Sequence, residues 1–177
     1  MGTFDDIVAP LTSLGSYHLF AWGSLVGTEL YQSFVMTKLC YLHLPRPQFT
    51  TLQRRVFPVY FSLQTGLVAA TALTYPSGSI LGLADNVVDA TILGVTLGLS
   101  VLNAFVFGPR TSQAMVERAH QETRDGRRHD EVEGTISEAM KLLKRKFSRN
   151  HAMTIHLNFI TIIATVVYGL RLGLKLA

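Results

Sequence analysis

Four long apolar stretches alternate with polar ones along the chain, at about residues 11–37, 57–75, 87–108 and 151–174. Each is near the length of about 20 residues that a helix needs to cross a bilayer core. The breaks between them have clear chemistry. Leu44-Pro45-Arg46-Pro47 interrupts any helix, Tyr75-Pro76-Ser77-Gly78 is a turn, and Pro109-Arg110 closes the third stretch. Pro58 is tolerated in the first turn of the second. The pattern predicts an all-α membrane protein. Four transmembrane helices form a bundle, with a long polar, partly helical loop, residues 109–150, between spans three and four. The chain is read as a single transmembrane domain, 1–177.

That loop has structure of its own. Residues 110–122 extend the third span as helix, and residues 124–130 form a turn or flexible break. Thr135 and Glu138 have capping-box spacing and start a new helix that runs on into the fourth span. Ile136, Ala139, Met140, Leu143 and Phe147 make its apolar stripe, with Lys141, Lys144, Arg145 and Lys146 mostly off it. Those four cations are either a solvated face or a docking surface for anionic lipid headgroups.

Composition agrees with a membrane setting. Charged residues are 16% of the chain and hydrophobic ones 48%, whereas soluble domains average about 25% charged. Fourteen of the sixteen Lys and Arg lie in the first and third loops and none in the second. This places those two loops in the cytoplasm and both termini on the far side. Arg171 and Lys175 run against the trend and are expected to snorkel to headgroups. The same segregation makes nucleic-acid binding the weaker explanation of the basic pI. Residues 1–10 lack a basic n-region, so the first span is expected to stay as a signal anchor. The protein is expected in an endomembrane or the plasma membrane. The lone Cys40 excludes an intrachain disulfide.

Polar residues inside the spans are the candidate chemistry. On a helical wheel His18, Trp22, Leu25, Glu29, Gln32 and Met36 share one side of the first span. Glu29 is its single charge, and a lone acid in a span marks a functional site by default. Counted from the charged cytoplasmic boundaries, Glu29, Gln64, Asn103 and Asn158 lie at one depth, roughly 10–14 Å in. His151, Thr154, Asn158, Thr161 and Thr165 share a face of the fourth span. Tyr60, Gln32 and His151 sit nearer the mouth. This layer is either a set of interhelical hydrogen bonds or a hydrated vestibule open to the cytoplasm, with Glu29 supplying charge for a polar or cationic ligand.

A histidine metal or haem site is the weaker reading. His18 and His151 should lie roughly 20 Å or more apart along the bilayer normal, so no metal site and no cofactor are expected. Phosphate-loop, dinucleotide, zinc-protease and serine-hydrolase motifs are absent from the sequence. Gly23/Gly27, Gly94/Gly98 and Gly169/Gly173 are GxxxG pairs, and Gly66/Ala70 is a related small pair. They point to close helix packing within the chain or to a homodimer.

Several local motifs together resemble the transmembrane protein 205-like family of small four-span proteins. They are Trp22-Gly23 with Phe34, Leu44-Pro45-Arg46-x-x-Phe49-x-x-x-Gln53, and Phe57-Pro58-x-Tyr60-Phe61. Further on are Asn103-Ala104, Pro109-Arg110-Thr111-x-x-Ala114-Met115, and Phe147-x-Arg149-x-His151 with Asn158. The resemblance implies an integral membrane protein with no settled biochemical activity, of a family associated more with export or trafficking than with catalysis. Two features depart from it. The family's first-span histidine lies about a turn farther from the tryptophan than His18 does, and an acid at the Glu29 position is not general. Two functions compete: a transport- or efflux-associated protein with a cytoplasm-facing vestibule, and a membrane scaffold whose basic loop binds lipid or a partner.

Overall fold

The computed structural model describes residues 4–77, 79–126 and 137–176. Every regular element among them is helical. A short α1 (Phe4–Thr12) leads into α2 (Leu14–Leu30), a π-helical segment Tyr31–Met36, and α3 (Thr37–His43). Next come α4 (Arg46–Leu73), a short α5 (Ser79–Ala84), and α6 (Val87–Leu102). A second π-helical segment, Asn103–Phe107, joins α6 to α7 (Gly108–Asp125), and α8 (Glu138–Leu176) completes the chain.

These elements make four rods: α2–α3, α4, α6–α7 and α8. α2 packs on α4 and α8, α4 packs on α6, and α6 packs on α8, which closes a ring. Side-chain pairs fix the directions. His18 meets the Thr71 carbonyl while Glu29 meets Gln64, so α2 and α4 are antiparallel. Asp89 meets Arg171 while Asn103 meets the Thr154 carbonyl, so α6 and α8 are antiparallel as well.

Three helices are long and apolar enough to cross a membrane: Arg46–Leu73, Val87–Asp125 and Glu138–Lys175. The stretch expected as the first span is broken at the extended Ser13 and helical from Leu14 on, and its α-helical part is only 17 residues before the π segment begins. α8, at 39 residues, is about 58 Å long, roughly twice a bilayer core. Its first half packs along α7 as an antiparallel pair. Phe20, Phe105, Ile155 and Leu170 point outward from the rods, as lipid-facing side chains would.

Two boundaries differ from the sequence expectation. The first basic loop is almost entirely helix: only Leu44 and Pro45 separate α3 from α4. Pro45 is extended, at φ −55° and ψ 141°, and Pro47 opens α4 in its first turn, where a missing N–H costs little. Pro58 therefore lies inside a 28-residue helix, not in its first turn. The start of α8 is the other. Ser137 is its described cap, its hydroxyl accepting from the Met140 N–H at 3.2 Å. Thr135 and Ile136, with residues 127–134, lie outside the described residues. α7 ends at Gly126, whose φ of +62° suits a residue without a side chain.

Candidate functional site

α2, α4 and α8 each turn a polar stripe inward, and the stripes meet toward the α3 end of the bundle. Glu29 is fully buried. Its Oε1 accepts from Gln64 Nε2 at 2.8 Å and from Thr165 Oγ1 at 3.3 Å, while Oε2 has no partner. The Tyr60 hydroxyl donates to Asn158 Oδ1 at 2.8 Å, and Gln64 Nε2 lies 3.2 Å from the same oxygen. Asn158 Nδ2 donates to Ser33 Oγ at 3.0 Å. A continuous chain of neutral donors thus joins Glu29 to Ser33 across three helices.

Asn103 is equally buried but joins a neighbouring group. Its Nδ2 donates to the Thr154 carbonyl at 3.2 Å, and Thr154 Oγ1 lies 3.1 Å from Thr111 Oγ1. Gln32 does not enter the network. Its amide turns along its own rod toward Thr37 Oγ1 at 3.4 Å, within the π segment. His151 is exposed at the edge of the bundle, outside the buried network, and stacks on Phe147 with ring centroids 5.1 Å apart. Asn150 takes the buried position the wheel assigned to it.

Both π segments flank this layer. In the first, the Thr37 N–H reaches back to the Gln32 carbonyl, and in the second the Gly108 N–H reaches the Asn103 carbonyl. Each widened turn shifts the helix face by one residue, a device common at functional sites. A Cβ at Gly108 would stand 2.5 Å from the Asn103 carbonyl oxygen and 3.3 Å from the Phe61 ring, so glycine lets the second π turn close and lie against α4.

Beside the network is a cavity of about 490 Å³ between α3, α4, α7 and α8. Ser33, Gln53, Thr111, His151, Thr154 and Asn158 supply its polar wall, and seven Phe and Tyr rings supply much of the rest. Glu29, Tyr60 and Gln64 are not on that wall. A vestibule charged by Glu29 is therefore not what the cavity offers: Asn158 stands between, and no carboxylate among the described residues lines it. Sequence reasoning also missed Gln53 as a site residue. It lies three turns before Gln64 on the inward stripe of α4, and that spacing, with its place at the end of the motif at residues 44–53, was the available signal.

A second buried cluster forms at the opposite end. Asp89, capping position three of α6 behind Asn86, accepts from the Tyr75 hydroxyl at 2.8 Å, Arg171 Nε at 2.7 Å, and Lys175. Arg171 and Lys175 thus bind an internal acid, where snorkelling was expected. His18 Nδ1 lies 2.9 Å from the Thr71 carbonyl, which can only accept, so that nitrogen carries the proton. Nε2 then accepts from the Tyr168 hydroxyl at 2.7 Å. Trp22 packs here, its Nε1 donating to the Thr165 carbonyl at 3.2 Å.

The remaining motif residues are placed as follows. Phe57 stacks on Phe61 with ring centroids 5.7 Å apart, while Thr111 and Met115 face the cavity. Pro109, Arg110 and Arg149 are exposed. Of the glycine pairs, Gly169 alone meets another helix, since a Cβ there would overlap the Trp22 indole. Gly23, Gly27, Gly66, Gly94, Gly98 and Gly173 face open space, so close packing within the chain is not their role.

Of the four loop cations, Lys146 pairs with Glu117 at 2.6 Å and Lys141 with Glu138 at 2.7 Å. These ammonium groups hold the Glu117 and Glu138 carboxyls below the usual glutamate range. Lys144 and Arg145 complete the basic run, Arg145 exposed.

Residues 20–120 match the family described as Domain of unknown function (DUF4149). This chain belongs to the DUF4149 family. The matched stretch contains α4, α6 and both π segments, and so most of the cavity wall outside α8. A full-length relative agrees: the chain is 40% identical over 173 residues, 96% of each protein, to Xanthocillin biosynthesis cluster protein D of Aspergillus fumigatus. No solved structure matches this DUF4149 chain.

Proposed function

We propose that this is a non-enzymatic, multi-pass membrane protein of four spans, with both termini extracytoplasmic. Its role is in transport or efflux, and its cavity faces the cytoplasm. The observation that carries the reading is the 490 Å³ cavity beside the buried Glu29–Gln64–Asn158 network. It has the size of a small-molecule site, which usually falls in about 300–1,000 Å³, and the mix of apolar wall and few polar groups such sites have. The first rod completes the four spans, because α2 and its π segment continue one helical path of apolar residues. The resemblance to transmembrane protein 205-like proteins points the same way. So does the relative, whose printed name sets it in a biosynthetic cluster, where a membrane protein that moves a small product has a place.

The alternative, a scaffold docked to anionic lipid through Lys141, Lys144, Arg145 and Lys146, draws less support. Two of those four cations are held by Glu138 and Glu117. The test is flux in proteoliposomes loaded with a panel of anionic, neutral and cationic amphiphilic dyes. At least one dye should leave faster than from protein-free liposomes, and Asn158→Leu should abolish the difference. Flux equal to protein-free liposomes for every dye contradicts the transport reading.

A further inference from the structure

Gln53 is 3% exposed, lines the cavity, and neither its amide nitrogen nor its amide oxygen has a hydrogen-bond partner. A buried carboxamide left so is expensive, and native structures rarely keep one without a purpose. The next residue, Arg54, lines the cavity too and is also on the wall of a second hollow of about 460 Å³. That hollow lies between the start of α4 and α7, and its charged groups are Arg46, Arg54, Arg118 and Glu122. Met115 is likewise shared by both. Arg118 sits 4.2 Å from the Phe147 ring centroid, and that ring faces the cavity. Arg54 and Met115 thus form a shared wall between the aromatic-walled chamber and the basic groove, and the orphaned amide lies on the chamber side of it.

We propose that the two hollows form one site for an amphiphile with a single anionic head. The apolar body occupies the aromatic chamber, the head lies at Arg54, and the Gln53 amide hydrogen-bonds the head's oxygens. A phosphate or carboxylate matches both groups: guanidinium binds such oxygens in paired geometry, and the amide N–H₂ donates to a third. A cationic head is disfavoured because, among the described residues, the chamber has no acid and the groove has three guanidinium groups against one carboxylate. The chemistry is shared by an acidic membrane lipid and a soluble amphiphile. The proposal rests on the cavity assigned above but not on transport.

The test uses the full chain in nanodiscs of zwitterionic lipid, with dodecyl phosphate as probe and dodecanol and inorganic phosphate as its two halves. Calorimetric titration should show dodecyl phosphate binding at least tenfold more tightly than either half. Gln53→Leu and Arg54→Gln, made separately, should each weaken it at least tenfold. Gln53→Leu should also raise the thermal midpoint of the free protein, because it removes the orphaned amide. Arg54 is exposed, so its variant reads the site even if the buried one does not fold. Equal binding of dodecanol, equal binding of inorganic phosphate, or wild-type affinity in Arg54→Gln overturns the proposal. Mass spectrometry of extracted protein assigns the source. One equivalent of acidic phospholipid, lost in Arg54→Gln, makes the ligand a membrane lipid; its absence with dodecyl phosphate still binding makes it a soluble amphiphile. Tight binding without flux leaves this site standing and removes the transport reading, and flux without binding does the reverse.

Discussion

Asp89→Asn should loosen the end of the bundle away from the cavity. The carboxylate is 1% exposed and accepts from Tyr75, Arg171 and Lys175, the last two with side chains 35% and 40% exposed. A charge-assisted bond contributes about 1.5–3 kcal/mol when buried, and an exposed ion pair contributes about 0–1. With one end buried and the other open to solvent, each cation bond is set at about 1 kcal/mol. Asparagine keeps one acceptor, for Tyr75, and loses the attraction to both cations, so the cost is about 2 kcal/mol. For a chain of this length that lowers the thermal midpoint by about 4–8 °C. Trp22 is the single tryptophan and packs against this cluster, so its emission follows the transition there. The same substitution in an Arg171→Met, Lys175→Met background should cost less than half as much, because no cation is left for the carboxylate to hold. A midpoint within 1 °C of wild type, or an undiminished cost in that background, would refute the reasoning.

Three further expectations follow from other parts of the fold. Lowering pH should free α7 from α8: the Glu117 carboxyl is held below its usual range by Lys146, so the stabilisation is full above the ordinary glutamate pKa and fades as pH falls through the lowered one. Corrected for the intrinsic exchange rate at each pH, amide protection in residues 110–125 should fall between pH 6 and pH 3 more than in residues 87–102, and equal change in both would count against it. Gly169→Val should force Trp22 off α8 and cost about 1–3 kcal/mol, seen as a red-shifted emission; an unshifted spectrum would contradict that contact. Gly94→Ala and Gly98→Ala should leave stability unchanged or raise it by up to about 1 kcal/mol each, because their positions face open space, and a clear loss in detergent would assign that face to a partner helix.

Helix content and the inward stripes were legible because both rest on a 3.6-residue period that survives packing. Glu29, Gln64 and Asn158, drawn from three separate stretches, meet within hydrogen-bond distance because lipid makes any other placement costly. The π segments were not legible. At the second, a Cβ on Gly108 would stand 2.5 Å from the Asn103 carbonyl oxygen, a constraint that no apolar periodicity reveals. Gln32, buried as the wheel assigns it, lies inside the first widened segment, and its amide pairs with Thr37 across that turn instead of with the other helices. The cavity was misplaced for a related reason. Depth counting locates a layer, but not which side of Asn158 is packed and which is hollow. The Asp89 cluster was not legible either, because its partners, Arg171 and Lys175, are more than eighty residues away.

The central claim is a cavity reached from the cytoplasm, and directional cysteine labelling tests it most directly. Cys40, the lone cysteine, is replaced by serine, and single cysteines are introduced at Ser112, on the cavity wall, and at Ser100, buried in the bundle. Sealed vesicles of known orientation are treated with a membrane-impermeant thiol reagent from either side. Ser112→Cys should react from the cytoplasmic side alone, and Ser100→Cys from neither. Reaction of Ser112→Cys only from the opposite side would invert the topology, and no reaction from either side would contradict an open cavity.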